Sequence, residues 1–282
     1  MKTACRKMSA KEKRIRIVIY SVIVVLILAT AVFVIYENNH LIVKNVEYQN
    51  LEVPDMFVGY RIVQLSDVHD KTFGKNNDRL IEKVMGLNPD IIVITGDIVD
   101  DERSKTAKAG KLVTNLVKIA PVYYISGNHE DDYLSEEKYD ELMKVLEESG
   151  AYVFKESGQV EISKDDEKIV LCGLKDCDIY RADIRMPEES LNILLAHEPQ
   201  WIRKYSEMNA DVVLSGHTHA GQIALPGGRA VYAPGQGLFP KYSEGVYGYK
   251  DTTLIISSGL GMAGIPVRFF TNPEIICIRL NK

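Results

Sequence analysis

Five of the chain's six histidines sit beside small residues and carboxylates in five short motifs. The motifs are Ser66-Asp67-Val68-His69, Gly96-Asp97-Ile98-Val99-Asp100, Gly127-Asn128-His129-Glu130, Ala196-His197-Glu198-Pro199 and Gly216-His217-Thr218-His219. Together they offer carboxylate, amide and imidazole ligands sufficient for two metal ions. Imidazole suits Zn, Fe, Mn or Ni, and carboxylate suits Mn and Mg. The mixture therefore points to two divalent transition-metal ions, Mn first with Fe or Zn as alternatives. Asp97 has two carboxylate oxygens and can bridge both ions; Asn128 adds an oxygen without adding charge. Two adjacent divalent ions suit the hydrolysis of a phosphate ester above other reactions. A shared water becomes a strong nucleophile as its pKa falls from ~15.7 toward about 7, and the ions neutralise the phosphoryl oxygens. His129, next to a candidate ligand, can donate a hydrogen bond or a proton to the leaving oxygen.

Something must bring these motifs together. Each follows a short apolar run: 61–65, 90–94, 122–125, 191–195 and 211–214. Aliphatic or β-branched runs of this length, ending in small or polar residues, read as buried strands followed by turns. Helix-like stretches lie at roughly 76–87, 103–119, 135–149 and 199–208. Strands alternating with helices imply an α/β sheet with a parallel component. Such sheets bind ligands at the carboxyl ends of their strands, where all five motifs fall. Each motif alone has an ordinary reading: a turn aspartate, a turn Gly-Asn, a core histidine. Five together, each after a strand, do not.

In this order, D-x-H, G-D-x-x-D, G-N-H-[DE], a lone His and G-H-x-H form the pattern of the calcineurin-like metallophosphoesterases. The chain resembles that family from about residue 59 to residue 281. The resemblance implies an α/β/β/α sandwich of four layers built on two mixed sheets. It implies that Asp67, His69 and His219 hold one metal, that Asn128, His197 and His217 hold the other, and that Asp97 bridges. It also implies that His129 acts near the leaving group and that Asp100 orients it. One departure is Asp100-Asp101-Glu102, where the family often has a glycine two residues after that aspartate; this reads as a local loop difference. The tail at 257–275 resembles a bacterial subgroup of membrane-associated or exported phosphoesterases. Some of these cleave the pyrophosphate of UDP-diacylglucosamine, and others are linked to cell-wall phosphodiesters.

The amino terminus supplies the location. Residues 17–36 are twenty apolar or small residues without a charge. At ~1.5 Å per residue they match a hydrocarbon core of ~30 Å. Lys2, Arg6, Lys7, Lys11, Lys13, Arg14 and Arg16 precede them, against Glu12 alone. Positive charge stays in the cytoplasm. The expectation is a basic cytoplasmic tail over 1–16, a single-pass anchor over 17–36 in a bacterial cell membrane, and an extracytoplasmic domain. A cleaved signal peptide ending near Ala29-Thr30-Ala31 is the rival, opposed by the apolar run that continues to Tyr36. Residues 37–58 read as a connection with one strand-like stretch, and 59–282 as the catalytic domain.

The whole chain carries −5. The first 36 residues hold seven basic and one acidic side chain, which leaves −11 for the remainder. This charge disfavours nucleic acid as a partner, because its nonspecific binding rests on Lys and Arg contacts. Acidic runs such as 130–132 and 165–167 read as solvated loops. Cys172 and Cys277 read as buried thiols, and a Cys172–Cys177 disulfide stays open. The run Gly259-Leu260-Gly261-Met262-Ala263-Gly264 fits G-x-G-x-x-G, but a Pro-containing strand-like stretch follows instead of a helix. It reads as a glycine loop beside the site. The Gly/Pro/Tyr-rich segment 226–250 reads as a wall of the substrate pocket, and 152–174 as part of a second sheet.

These readings converge on a membrane-anchored phosphoesterase. Its substrate would be a phosphate ester of the envelope, lipid-linked or derived from the cell wall. Alternatives are a phosphomonoesterase or phosphoprotein phosphatase, and a metal-binding scaffold without catalysis.

Overall fold

The strands of the site are mostly apolar because both of their faces are covered. The computed structural model of the chain describes residues 9–179 and 184–282. In it, helix α1 (Ala10–Asn39) leads into β1 (Ile42–Gln49), β2 (Arg61–Leu65), α2 (Asp78–Gly86), β3 (Ile91–Thr95), α3 (Thr106–Leu116) and β4 (Val122–Ile125). Next come α4 (Asn128–Tyr133), α5 (Glu136–Glu148), β5 (Tyr152–Phe154), β6 (Gly158–Lys164), β7 (Glu167–Gly173), β8 (Asn192–Leu195), α6 (Ile202–Glu207) and β9 (Val212–Ser215). Two short hairpins, β10 (Ala224–Leu225) with β11 (Arg229–Ala230) and β12 (Tyr232–Ala233) with β13 (Gly237–Leu238), precede β14 (Gly245–Tyr249), β15 (Thr252–Ile256) and β16 (Glu274–Asn281).

Two six-stranded mixed sheets result, ordered β1-β16-β2-β3-β4-β5 and β14-β15-β9-β8-β7-β6. Only β16 against β2 is antiparallel in the first; β14 against β15 and β6 against β7 are antiparallel in the second. Side chains alternate between faces along a strand. Ile91 and Val93 of β3 therefore meet Ile193 and Leu195 of β8 in a core between the sheets. Ile92 and Ile94 face Leu80 and Val84 of α2, Leu112, Val113 and Leu116 of α3, and Leu142 and Leu146 of α5. Leu194 of β8 faces Ile202 and Tyr205 of α6. The layers are thus α/β/β/α, as the family resemblance implies. Helix α5 starts on a side-chain cap. Ser135 Oγ accepts from the Lys138 N–H at 3.3 Å, and Glu136 and Glu137 fill the first turn of α5 beside its positive end.

Three stretches differ from expectation. Residues 37–58 do more than connect: β1 pairs in parallel with β16 along all eight of its residues, and Val53 and Phe57 are fully buried between the sheets. Of the 152–174 region, β5 joins the edge of the first sheet beside β4, and only β6 and β7 belong to the second. Helix α1 runs beyond 17–36 at both ends, and Ser9 and Glu12 cap it reciprocally. Its apolar side chains from Ile15 to Tyr36 are largely exposed. One apolar helix long enough to cross a membrane is therefore present near the amino terminus. Lys2, Cys5, Arg6 and Lys7 lie outside the described residues. Cys172, Cys177 and Cys277 are free thiols, the first and last buried.

Candidate metal centre

The five motifs occupy the carboxyl ends of five strands. Asp67 and His69 follow β2, Asp97 and Asp100 follow β3, Asn128 and His129 open α4 after β4, His197 follows β8, and His217 and His219 follow β9. Strands β2, β3 and β4 are neighbours in one sheet, and β8 and β9 in the other. The loops keep hydrogen-bonding past the strand ends: Asp67 N–H to Gly96 O at 3.1 Å, His69 N–H to Asp97 O at 3.0 Å, and Gly216 N–H to His197 O at 3.0 Å. Gln64, fully buried in β2, ties the sheets together beneath the site. Its Nε2 donates to Thr95 Oγ1 at 3.0 Å and to the Ser215 carbonyl at 2.9 Å.

Five of the candidate ligands take left-handed backbone: φ is +50° at Asp67, +42° at His69, +53° at Asp97, +70° at His217 and +50° at His219. This conformation costs about 1–2 kcal/mol per non-glycine residue, and such outliers gather where function requires them. Glycine permits the close approaches around them. A β-carbon on Gly216 would collide with Ser66 Oγ and Asp67 Oδ2, and one on Gly261 with the Val68 carbonyl. The glycine run 259–264 is thus a backbone wall against Asp67 and His69, with no helix behind it.

The ligand atoms form one continuous cluster. Asp67, His69 and His219 each bring one within 4.8 Å of the others, as do Asp67, Asp97 and His197, and His69, Asp97 and His129. Asn128 Oδ1 lies 3.1 Å from His197 Nε2 and 2.8 Å from His217 Nδ1, which joins the remaining two residues to the set. His129, expected beside the metals, is within ligand reach of His69 and Asp97 as well. Asp100 meets His129 through its backbone: the carbonyl is 2.6 Å from His129 Nδ1, while the carboxylate Oδ1 is 3.6 Å from that nitrogen and only 3.2 Å from His69 Nδ1.

These contacts fit cations. His197 Nδ1 lies 2.8 Å from the Thr95 carbonyl, which can only accept, so Nδ1 carries the hydrogen. Its Nε2 then faces two oxygens, Asp97 Oδ2 at 3.2 Å and Asn128 Oδ1 at 3.1 Å. A neutral ring would aim a lone pair at both; a proton or a metal ion resolves the conflict. Asp67 Oδ2, both ring nitrogens of His69, His217 Nε2 and His219 Nδ1 are buried without a directed hydrogen bond. Buried polar atoms normally have partners. Carboxylate, amide oxygen and imidazole together suit Mn, Fe or Zn.

The imidazoles divide into two classes. Burial opposes charge on His69 and His197, but the carboxylates of Asp100 and Asp97 beside the first, and of Asp97 beside the second, hold both above the ordinary imidazole value. Burial and the charge of His197 push His217 down to about 3; burial and His69 push His219 well down. In the metal-free site His69 and His197 therefore hold a proton more readily than His217 and His219 do. Ligation needs the lone pairs, so loading with Mn near neutral pH should release protons from these rings. Affinity should accordingly fall as the pH is lowered below neutral. Calorimetry in two buffers of different ionisation enthalpy measures the release; none at neutral pH would contradict this electrostatic reading.

Glu130 corrects the reading of 130–132 as a solvated run. It is fully buried, and its carboxylate accepts from the backbone N–H groups of Asp97 (2.8 Å), Gly127 (2.8 Å) and Val99 (3.1 Å). It locks the turn after β3 to the start of α4. Burial and Asp97 push its pKa up to about 7, against the pull of these donors. Beside the cluster lies a cavity of about 590 Å³. His129 and His219 form its metal side, and Ile223, Tyr232, Ile265 and Val267 its apolar side. Val231, Tyr232 and Pro234 come from the 226–250 segment, so that segment does reach the site.

Comparison with known proteins adds to this geometry. A family model described as calcineurin-like phosphoesterase matches residues 60–221. The Bacillus subtilis protein named Uncharacterized metallophosphoesterase YkuE is 32% identical over 241 residues, covering 82% of this chain and 82% of its own. A zebrafish (Danio rerio) transmembrane protein with metallophosphoesterase domain is 30% identical over 264 residues, covering 85% of this chain and 57% of its own. Among solved structures, a dimetal phosphatase from Danio rerio superposes with a TM-score of 0.45 at 10% identity, covering 72% of this chain and 88% of that one.

Proposed function

Since this chain belongs to the calcineurin-like phosphoesterase family, a family of metal-dependent phosphoester hydrolases, we propose that it cleaves a phosphodiester or pyrophosphate bond in a lipid-linked or wall-derived envelope substrate. The observation that carries this reading is the convergence of seven ligand-type residues from two sheets on one cluster whose lone pairs need cations. Asp67, His69 and His219 would hold one divalent ion, Asn128, His197 and His217 the other, with Asp97 between them; Mn is the first candidate. Bound there, the ions would acidify a water and offset the charge that gathers on the phosphoryl oxygens.

The chain's own groups supply the rest. Asp97 Oδ1 accepts the His129 N–H at 2.9 Å, which fixes the start of α4 against the cluster. The Asp100 carbonyl takes the His129 Nδ1 hydrogen, so Nε2 is the nitrogen left to give a proton to the leaving oxygen. His129 lines the cavity, where its ring can meet that oxygen. The apolar wall formed by Ile223, Ile265 and Val267 suits an alcohol or phosphate carrying a hydrocarbon chain and excludes water around it. Helix α1 would anchor the enzyme in a bacterial membrane. Lys11, Lys13, Arg14 and Arg16 favour a cytoplasmic amino terminus, with the domain on the other side.

The full chain, purified in detergent, chelated and resupplied with Mn, Fe, Zn or Mg, should regain hydrolysis of a chromogenic phosphodiester and prefer it to the matching monoester. A preference for the monoester, or for phosphopeptides, would replace this reading with the phosphatase one. A folded, metal-loaded and inactive chain would leave only the scaffold.

A further inference from the structure

We propose that the loop 264–270 and the adjoining edge at Ile223–Leu225 enter the lipid layer that α1 crosses, so that the domain lies against the bilayer with the mouth of its cavity at the surface. This rests on the reading of α1 as a membrane span. The observation behind it is a matter of level. Phe33, three residues inside the charge-free run that ends at Tyr36, packs its ring on Phe269 and Phe270 at 5.3 and 5.4 Å between centroids. At ~1.5 Å per residue, Phe33 stands about 9 Å below Asn39 along the helix.

The polar contacts are at the other level. Asn38 Oδ1 accepts the Arg268 N–H at 2.7 Å, and Asn38 Nδ2 donates to the Pro266 carbonyl at 3.2 Å. Arg79 donates to the Asn39 carbonyl and Lys71 to its Oδ1, each at 3.1 Å. Two cations thus mark the level of the phosphate headgroups, and two phenylalanines the level of the chains beneath.

The surface has the composition that such a position requires. The one charged residue of the 264–270 loop, Arg268, is fully buried with its guanidinium on the Ser258, Gly259 and Gly261 carbonyls. Ile265 is 60% exposed, Phe270 41%, Ile223 40% and Leu225 45%. Pairing of Ile223 with Phe269 sets the 223–225 edge beside the loop, and the loop meets α1 where Phe33 packs on Phe269 and Phe270. Apolar side chains that insert beside cationic ones are the pattern of interfacial anchoring. The cavity shares Ile223 and Ile265 with this surface and has His129 and His219 on its inner side. A phosphoester can therefore present its head to the metals while its hydrocarbon chain stays in the leaflet.

The test uses the full chain in phospholipid vesicles, with Phe270→Trp, Ile265→Trp and, at the far end of the first sheet, Val58→Trp. The wild-type chain, with Trp201 as its one tryptophan, sets the baseline. Replacing the lipid by one brominated near the top of its acyl chains should quench the added fluorescence of Phe270→Trp and Ile265→Trp at least about twofold, and leave Val58→Trp at the baseline. Vesicle flotation separates the two readings. Chains that float with lipid but leave both loop tryptophans unquenched would overturn the loop insertion alone. Chains that fail to float would overturn the span and the insertion together. Loop tryptophans shielded from bromolipid and aqueous iodide alike would assign the surface to a second copy of the chain and overturn the lipid reading.

Discussion

Replacing Asp97 by Asn should lower metal-dependent turnover by about a thousandfold while leaving the metal-free fold in place. The side chain is buried, with Oδ2 3.2 Å from His197 Nε2 and 3.5 Å from His69 Nε2, and Oδ1 on the His129 N–H at 2.9 Å. Asparagine can keep the last bond, so α4 still starts in the same place. It removes the negative charge from the middle of the cluster and turns an N–H₂ group toward the imidazoles. Burial alone would raise the Asp97 pKa, but His197, His69 and His129 together hold it well below the usual carboxylate range, so its charge is present at every working pH. Metal content by elemental analysis should fall with the rate. His129→Ala is the informative contrast. If the ring protonates the leaving oxygen, its loss should slow an alkyl diester by about a hundredfold and a nitrophenyl diester far less, because nitrophenolate leaves without a proton. Full turnover by Asp97→Asn would remove the bridging role; equal losses on both esters for His129→Ala would move that residue from proton donor to ligand. The second outcome has geometric support, since His129 shares a ligand-sized group with His69 and Asp97.

Much of this site is legible in the sequence because its parts are local. A candidate ligand pair such as His217 and His219 needs one strand end and one turn, and both are written within a few residues. The strands announce themselves for a related reason. With cores on both faces, β3 and β8 are apolar at every position but Thr95 and Asn192, and such runs stand out against polar loops. Anything settled by distant contacts is hidden. Residues 37–58 look like a linker because the partner that makes β1 a sheet edge, β16, lies at the other end of the chain. β5 looks like the start of a second sheet because its neighbour is chosen by the packing of α5 on the first. The left-handed turns at Asp67, His69 and Asp97 cannot be read from residue type, because Asp and His adopt this conformation more often than most residues but still rarely. The most instructive gap is Glu130, which stands in an acidic run and is buried by loops from elsewhere.

Glu130→Ala should therefore cost more stability than any change on the metal-facing side. Three backbone N–H groups, of Asp97, Val99 and Gly127, would lose their acceptor in a place water cannot reach. Each buried donor left unsatisfied costs roughly 1–3 kcal/mol, so the total should be on the order of 4 kcal/mol. For a domain of this size that corresponds to a melting temperature about 10 °C lower, read by thermal unfolding of the metal-free protein. Glu130→Gln keeps one oxygen for two of the donors but sets an N–H₂ against the third, so roughly half of the loss should remain. Activity distinguishes this residue from the ligands. Glu130 touches Asp97 only through its backbone, so the glutamine variant misplaces the carboxylate without deleting it. Excess metal should then restore much of the turnover of Glu130→Gln and none of Asp97→Asn. An unchanged melting temperature for Glu130→Ala would mean that the three donors find other acceptors, and that the turn after β3 is held by the strands alone.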